Sequence, residues 1–242
     1  MSTPCASSLA DIPARKFYGR SKGRPLGALR SEVLDTLLPV LTVRPDGLDT
    51  IDPATLFPAP LKQYWYEIGF GSGEHLSAVM RRHPDYGFIG AEPYINGMSA
   101  FLKDIQDEPK DNIRVLMDDA MLLARSFKTQ TLDGIYILNP DPWPKKRHNK
   151  RRIVSTENLD VFARILKPGG QLILSTDVAD LAEWMLTYTY NHPAFEWQAE
   201  SANDWKNPPK DWVTTKYEVK QANHTSKKMA YLLFTRKACQ NT

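Results

Sequence analysis

Short apolar runs and longer segments with helical spacing alternate along the chain from residue 64 onward. The apolar runs predict strands over residues 64–69, 86–92, 112–117, 132–139 and 171–176. The segments between them predict helices over about 74–83, 95–106, 153–166 and from 178, with a short helix after the third strand. Later segments at 195–198, 216–220 and 229–236 predict strands without intervening helices. This order is typical of the α/β class with a mostly parallel, doubly wound sheet, here with an antiparallel C-terminal edge.

The N-terminal part of the chain follows a different pattern. Leucines and a valine recur at helical spacing over residues 27–42, which predicts a helix packed on the body. Residues 1–26 are rich in basic residues and have no periodicity. We therefore expect a flexible basic N-terminal arm over 1–26, either plainly disordered or ordered by RNA, and a single domain over 27–242.

The net charge of +3 is unevenly distributed. Residues 15–30 and 145–152 each hold six basic residues and no acidic one, so the remainder of the chain has a net charge of −9. A negatively charged body with two basic strips favours a polyanionic partner that binds in a defined place.

The composition excludes several classes of protein. A hydrophobic content of 42% with six Trp, ten Tyr and nine Phe is too high for a disordered chain. No apolar run approaches the ~18 residues of a membrane span, and the first residues lack a secretory signal, so we expect no membrane association. Cys5 and Cys239 lie near opposite ends, outside any metal-binding spacing. We therefore expect no metal and a reducing, cytoplasmic location.

A glycine-rich turn, Glu67-Ile-Gly-Phe-Gly-Ser-Gly-Glu74, follows the first predicted strand. Glycines at such a turn let a ligand approach the backbone closely. Glu92 ends the second strand, where a carboxylate can accept hydrogen bonds from both ribose hydroxyls of an adenosine. Glu74 would repel a pyrophosphate at the helix N-terminus but suits the cationic S-adenosylmethionine. The alternative is a structural turn with surface acids.

Two adjacent acids, Asp118 and Asp119, follow the third predicted strand. Loops at the carboxyl ends of parallel strands line the ligand crevice, so an Asp there can accept a hydrogen bond from an adenine amino group. Asp is equally well suited to cap the following helix, and one of the pair can cap while the other binds.

The segment 139–152 follows the fourth strand and reads Asn-Pro-Asp-Pro-Trp-Pro-Lys-Lys-Arg-His-Asn-Lys-Arg-Arg. Its three prolines predict a loop of restricted, extended geometry, which favours the aligned reacting atoms that methyl transfer needs. Trp143 offers a stacking surface, and the basic run after it can bind phosphates. The alternatives are a tryptophan that only packs the loop and a basic run that is merely solvated.

Several motifs occur in order along the chain. They are 67–73, Gly90-Ala91-Glu92, Asp141-Pro-Trp-Pro-Lys145 with His148 and Lys150-Arg151-Arg152, Ser175-Thr176-Asp177, and Thr215-Lys216-Tyr217-Glu218. On these motifs the chain closely resembles bacterial tRNA (guanine-N7)-methyltransferases from about residue 17 to the C-terminus. The block that begins at Asp141 is specific to that family, whereas most S-adenosylmethionine enzymes share the glycine loop.

The resemblance implies a Rossmann-like class I methyltransferase fold, S-adenosylmethionine as cofactor and the variable-loop guanine of tRNA as substrate. The implied cofactor contacts are Glu67, Gly69, Gly71, Gly73, Glu92, Asp119 and Asp141. Asp141 is also the implied catalytic acid. The implied substrate contacts are Lys145, Asp177, Thr215, Lys216, Tyr217 and Glu218, and the implied RNA contacts are Arg147, His148, Lys150, Arg151 and Arg152. The chain departs from the family at Asn139, where Phe is usual, and in the tail after Glu218.

Guanine N7 carries an unprotonated lone pair, so its methylation requires no general base and none of the five histidines need be catalytic. We expect Asp141 to orient the base and to stabilise the positive charge that develops on it. The expected partner is tRNA, with no obligatory protein partner, and the chain is a monomer or a homodimer. The alternatives are methylation of an exocyclic amine, a non-catalytic RNA-binding module and a nicotinamide oxidoreductase, which Glu74 disfavours.

Overall fold

The computed structural model describes residues 21, 23–45, 47–215, 218–219 and 228–238 of the 242-residue chain. The strands are β1 (Gln63–Ile68), β2 (Tyr86–Ala91), β3 (Ile113–Leu116), β4 (Leu132–Leu138), β5 (Leu166–Thr176), β6 (Phe195–Trp197) and β7 (Ala230–Arg236). The α-helices are α1 (Ala28–Thr36), α2 (Leu38–Leu41), α3 (Glu74–Arg82), α4 (Ile95–Asp104), α5 (Ala120–Ser126), α6 (Thr156–Ile165), α7 (Ala179–Tyr190) and α8 (Ala202–Lys206). Two 3₁₀ helices cover Pro53–Leu56 and Lys146–Arg151.

These strands form one sheet in the order β3-β2-β1-β4-β5-β7-β6. The first five strands pair in parallel, and β7 pairs antiparallel with both β5 and β6. The predicted α/β class, with a mostly parallel sheet and an antiparallel C-terminal edge, is therefore confirmed.

Apolar clusters cover both faces of the sheet. Tyr66 of β1 is in register with Ile89 of β2, and both belong to one buried cluster. Phe88 of β2 and Val115 of β3 belong to the other. Because successive side chains of a strand point to opposite faces, the strands are buried on both sides, as in doubly wound folds.

The helix predicted over 27–42 is interrupted near Pro39. Helix α1 ends at Thr36, and the short α2 begins at Leu38 with the proline in its first turn. Proline lacks the N–H that would donate to the preceding turn, so one continuous helix is disfavoured. The chain then bridges to the sheet through Thr42, which pairs with Val115.

The predicted strand over 216–220 is wrong where the structure describes it. Glu218 and Val219 are helical, and the amide of Val219 donates a hydrogen bond to the carbonyl of Thr215 at 3.0 Å. Lys216 and Tyr217 lie outside the described residues, as does most of the predicted arm.

Three further elements were not predicted: α8 and both 3₁₀ helices. Strand β5 also begins earlier than predicted, at Leu166. Residues 167–170, which read Lys-Pro-Gly-Gly, lie within the strand, and its pairing with β4 shifts register there. In the part of the chain that is described, no helix is long and apolar enough to cross a membrane.

Candidate active site

The candidate site lies where the strand order of the sheet reverses. Strand β1 is followed in sequence by β2 on one side, whereas β4 pairs with it on the other side. In open α/β sheets the crevice beyond the carboxyl ends of the strands at such a point binds ligands. The predicted acids lie at or just after these strand ends: Glu67, Glu92, Asp119, Asp141 and Asp177.

The glycine turn leaves open space on one side. Gly69 and Gly71 have positive φ angles of 70° and 58°, and a Cβ built on either would meet no heavy atom of the described residues within 4 Å. Gly73 is different: it caps α3 in the left-handed conformation, and a Cβ there would lie 2.2 Å from Phe101 Cδ2. Gly73 therefore serves the packing of the turn, whereas Gly69 and Gly71 leave room for a ligand.

Glu92 joins the glycine turn to the end of β2. One carboxylate oxygen accepts the amide of Gly71 at 2.7 Å, and the other accepts the amide of Tyr94 at 2.8 Å. Burial raises the pKa of Glu92, the two backbone amides oppose that shift, and the charges of Asp141 and Glu67 add to it. Each oxygen keeps a second lone-pair site, so Glu92 can still accept ribose hydroxyls as predicted.

Asp119 caps helix α5. Its Oδ1 accepts the amide of Met121 at 2.9 Å, while Asp118 is exposed and accepts the amide of Asp119 at 2.7 Å. Asp119 is therefore the member of the pair that caps the helix. The hydroxyl of Tyr66 below it donates to the Ala120 carbonyl at 2.7 Å, which fixes the start of the helix.

The Asp141 loop is bent at both ends. Asn139 and Trp143 have positive φ angles of 48° and 44°, so the loop is not uniformly extended as its prolines predicted. Such conformations are costly for residues other than glycine and concentrate at functional sites. The loop is anchored by the amide of Asn139, which donates to the Ser175 carbonyl at 2.8 Å. Asp141 itself is exposed between the two bends.

Arg152, which was predicted to contact RNA, is only 1% exposed. Its Nε donates to the carbonyl of Pro142 at 3.0 Å, its guanidinium forms an ion pair with Asp180, and it lies 4.9 Å from the ring centroid of Trp184. A phosphate cannot reach this buried guanidinium, so an RNA contact does not fit Arg152. The residue instead holds the Asp141 loop against α7.

The rest of the basic run is more accessible. Lys145, Lys146, Arg147 and Lys150 are exposed around the 3₁₀ helix. The Arg151 guanidinium lies 4.9 Å from the centroid of the Trp143 ring, and the His148 ring packs edge-on against the same tryptophan at 5.9 Å. Partial burial and the surrounding cations lower the pKa of His148, which favours its neutral form. Trp143 thus packs the loop and joins it to the basic strip.

The two described residues of the predicted substrate motif at 215–218 bond to each other. The amide of Thr215 donates to Glu218 Oε2 at 2.9 Å, and the amide of Glu218 donates to Thr215 Oγ1 at 3.3 Å. The indole Nε1 of Trp212 donates to the same buried carboxylate at 3.2 Å. Burial and the charge of Glu218 raise the pKa of Tyr231 to about 12.

Sequence reasoning missed the buried partner of Glu67. His75 Nδ1 lies 2.8 Å from Glu67 Oε2, and the two side chains are 4% and 3% exposed. The position of His75 on the buried face of α3, next to Leu76, was the only signal in the sequence. Trp212, whose ring packs against His75, carried no signal at all.

Comparisons with known proteins identify the family. A family model described as "Putative methyltransferase" matches residues 62–231. The tRNA (guanine-N(7)-)-methyltransferase of Rhodospirillum rubrum is 44% identical over 225 residues, which are 92% of this chain and 88% of the relative. The protein of the same name from Brucella anthropi is 42% identical over 224 residues, which are 93% of this chain and 96% of the relative. The chain belongs to the tRNA (guanine-N7)-methyltransferase family.

A solved structure agrees with the fold of this family. The 16S rRNA methyltransferase KamB, 15% identical, superimposes with a TM-score of 0.50 over 74% of this chain and 89% of that chain. At this identity the likeness shows the fold alone, which is the class I methyltransferase fold.

The methyl donor of this methyltransferase family is S-adenosylmethionine. The described residues fit that cofactor. The open side of Gly69 and Gly71 accepts a ligand against the backbone, and Glu92 supplies a carboxylate within the same turn. The acidic crevice also suits a ligand that carries an ammonium and a sulfonium.

Proposed function

We propose that this protein transfers a methyl group from S-adenosylmethionine to N7 of the variable-loop guanine of tRNA, giving 7-methylguanosine. The observation that carries the proposal is the position of Asp141. Its exposed carboxylate follows the carboxyl end of β4, beside β1 where the strand order reverses, and the basic strip follows it directly. Asp141 therefore lies between the acidic residues of the crevice, which suit the cofactor, and the exposed basic residues that follow it, which suit RNA.

The residues of the chain perform the positioning. S-adenosylmethionine supplies the electrophilic methyl group on its sulfonium. We propose that Glu67, Glu92 and Asp119 hold this cofactor together with the glycine turn, Asp119 in addition to capping α5. Asp141 orients the guanine and stabilises the positive charge that develops on the ring, so no residue need remove a proton.

The RNA is held by a second group of residues. We propose that Lys145, Asp177, Thr215 and Glu218 shape the substrate side of the crevice, with Lys216 and Tyr217 between the last two. Arg147, His148, Lys150 and Arg151 are proposed to contact the RNA. Because the target base is engaged in tRNA tertiary structure, it must be extruded into the crevice.

Incubation of the protein with unmodified tRNA and methyl-labelled S-adenosylmethionine, followed by nucleoside identification, tests this function. We expect labelled 7-methylguanosine. Asp141→Asn is expected to lower kcat by about a hundredfold, the scale of one charge-stabilising group. The matched control Asp107→Asn alters an exposed acid outside the crevice and leaves kcat unchanged. A labelled exocyclic amine, or no label in nucleosides, contradicts the proposal.

We also propose that the protein acts in the cytoplasm, as a monomer or homodimer, without an obligatory protein partner. Gel filtration of the pure active protein tests the assembly. A requirement for a second protein to obtain methylation contradicts it.

A further inference from the structure

The environment of His75 extends from the cofactor side of the crevice to the substrate side. On the cofactor side, its Nδ1 bonds the Glu67 carboxylate at 2.8 Å across the glycine turn. Both side chains are almost fully buried. A buried carboxylate is costly without a partner, so this bond determines where the Glu67 side chain points.

Aromatic rings hold the imidazole in place. The His75 ring packs edge-on against Tyr136 of β4 at 4.6 Å, and Tyr136 stacks on Trp65 of β1 at 4.8 Å. Burial raises the pKa of the Tyr136 hydroxyl, and the charge of Glu67 raises it further. Because it packs against Tyr136, the imidazole of His75 has little freedom to turn away from Glu67.

On the other side, His75 meets the segment that carries the substrate motif. The ring of Trp212 lies 5.7 Å from His75, tilted by 40°. Trp212 Nε1 donates to Glu218 at 3.2 Å, and Glu218 also accepts the amide of Thr215 at 2.9 Å. A continuous series of contacts thus runs from Glu67 through His75 and Trp212 to Glu218.

We propose that His75 is a positioning residue that couples cofactor binding at Glu67 to tRNA binding beside Trp212 and Glu218. The inference rests on the proposed function, since it assigns Glu67 to the cofactor and Glu218 to the substrate. Because the imidazole is bonded to Glu67 and packed against Trp212, a cofactor that repositions Glu67 also repositions the surface of Trp212. Binding of either ligand then favours binding of the other, because coupling between two sites is reciprocal.

Two substitutions separate the two contacts of His75. His75→Asn keeps an N–H donor near the position of Nδ1 but removes the ring that packs on Trp212. His75→Phe keeps a ring between Tyr136 and Trp212 but removes the donor to Glu67. His83→Phe is the matched control, because His83 directly follows the same helix and its ring stacks on Tyr86, at 4.9 Å, away from Glu67 and Trp212.

The measurement is the dissociation constant of S-adenosylhomocysteine, by calorimetry, with and without saturating tRNA. For the natural protein and His83→Phe we expect tRNA to tighten binding about fivefold or more. His75→Asn is expected to bind S-adenosylhomocysteine alone within about twofold of the natural protein, with the tightening by tRNA reduced to near one. His75→Phe is expected to weaken binding in the absence of tRNA by about tenfold.

Two results overturn the coupling: no tightening by tRNA in the natural protein, or full tightening in His75→Asn. His75→Asn retains the bond to Glu67, so the test survives if His75→Phe does not fold. Failure of the proposed function is distinguishable, because the natural protein would then form no 7-methylguanosine in the labelling assay.

Discussion

Neighbouring basic residues in one run have different surroundings and therefore different roles. Arg147 is exposed, whereas Arg152, five positions later, is buried against Pro142 and Trp184. In the sequence both belong to the same cationic strip. Arg152 is buried because α7 packs against the Asp141 loop. This packing cannot be read from the positions of the charged residues in the sequence.

Arg152→Ala should therefore lower stability, whereas Arg147→Ala should weaken tRNA binding. Arg152→Ala removes the hydrogen bond that holds the Pro142 carbonyl, so we expect a loss of about 2 kcal/mol in the free energy of unfolding and a lower kcat. Arg147→Ala should leave stability within about 0.5 kcal/mol and weaken tRNA binding. Urea unfolding and tRNA titration measure both, and equal stability of the two variants would contradict the structural role of Arg152.

Residue types alone predicted where the acids lie, but not their partners. Glu67, Glu92 and Asp141 lie near or just after the carboxyl ends of predicted strands, and topology brings such positions to one edge. The pairing of Glu67 with His75 joins β1 to α3 across the glycine turn. That is tertiary information, so the sequence indicated the acid and not the histidine.

At the scale of elements, the turn between β1 and α3 divides its glycines between packing and binding. Gly73 is required because Phe101 occupies the space a Cβ would take. Gly71 faces open space and donates its amide to Glu92. Both have positive φ, so backbone conformation alone does not distinguish them.

Alanine substitutions separate these two uses of glycine. Gly73→Ala should destabilise the protein by about 2–5 kcal/mol, from the strained φ and the clash with Phe101. Gly71→Ala should cost only about 1–2 kcal/mol but weaken S-adenosylhomocysteine binding at least about tenfold, since its methyl group enters the ligand space. Thermal unfolding and calorimetry provide the readouts.

Gly169→Ala is the control for the glycine series. Gly169 has a φ of 81° and open space around it, far along the chain in β5. It should show the backbone cost alone, with unchanged ligand binding. Ligand binding by Gly71→Ala as tight as that of Gly169→Ala would show that no ligand lies against the turn.

The elements of the parallel sheet could be predicted because each strand is an apolar run and each helix has an apolar face. The predicted strand at 216–220, which is helical where the structure describes it, is the exception. Thr215 and Glu218 bond each other's amides in a capping box, a pattern that begins a helix. The Thr-x-x-Glu spacing was visible in the sequence, and the apolar alternation that suggested a strand was the weaker signal.

At the scale of the whole molecule, the net charge of +3 conceals a separation of charge. Acidic residues lie around the crevice, where the strand order reverses. Exposed basic residues lie on and around the 3₁₀ helix Lys146–Arg151, which follows the Asp141 loop. This arrangement favours a cationic small ligand inside and a polyanion outside.

The charge separation predicts strong salt dependence of RNA binding. If about six phosphates are neutralised, the logarithm of the tRNA association constant should fall with the logarithm of salt concentration with a slope of about −4 to −5. Arg147→Ala should make the slope less steep by about one unit, while Arg152→Ala leaves it unchanged. A flat salt response of the natural protein would contradict binding through the basic strips.

The most direct test of the central claim is methyl transfer to a tRNA whose variable-loop guanosine is replaced by 7-deazaguanosine. This base pairs and stacks like guanine but has a carbon in place of N7. We predict full methylation of the matched guanosine tRNA and no methyl incorporation into the deaza tRNA, with both tRNAs bound equally well. Incorporation into the deaza tRNA at the rate of the guanosine tRNA would show that the crevice methylates another atom.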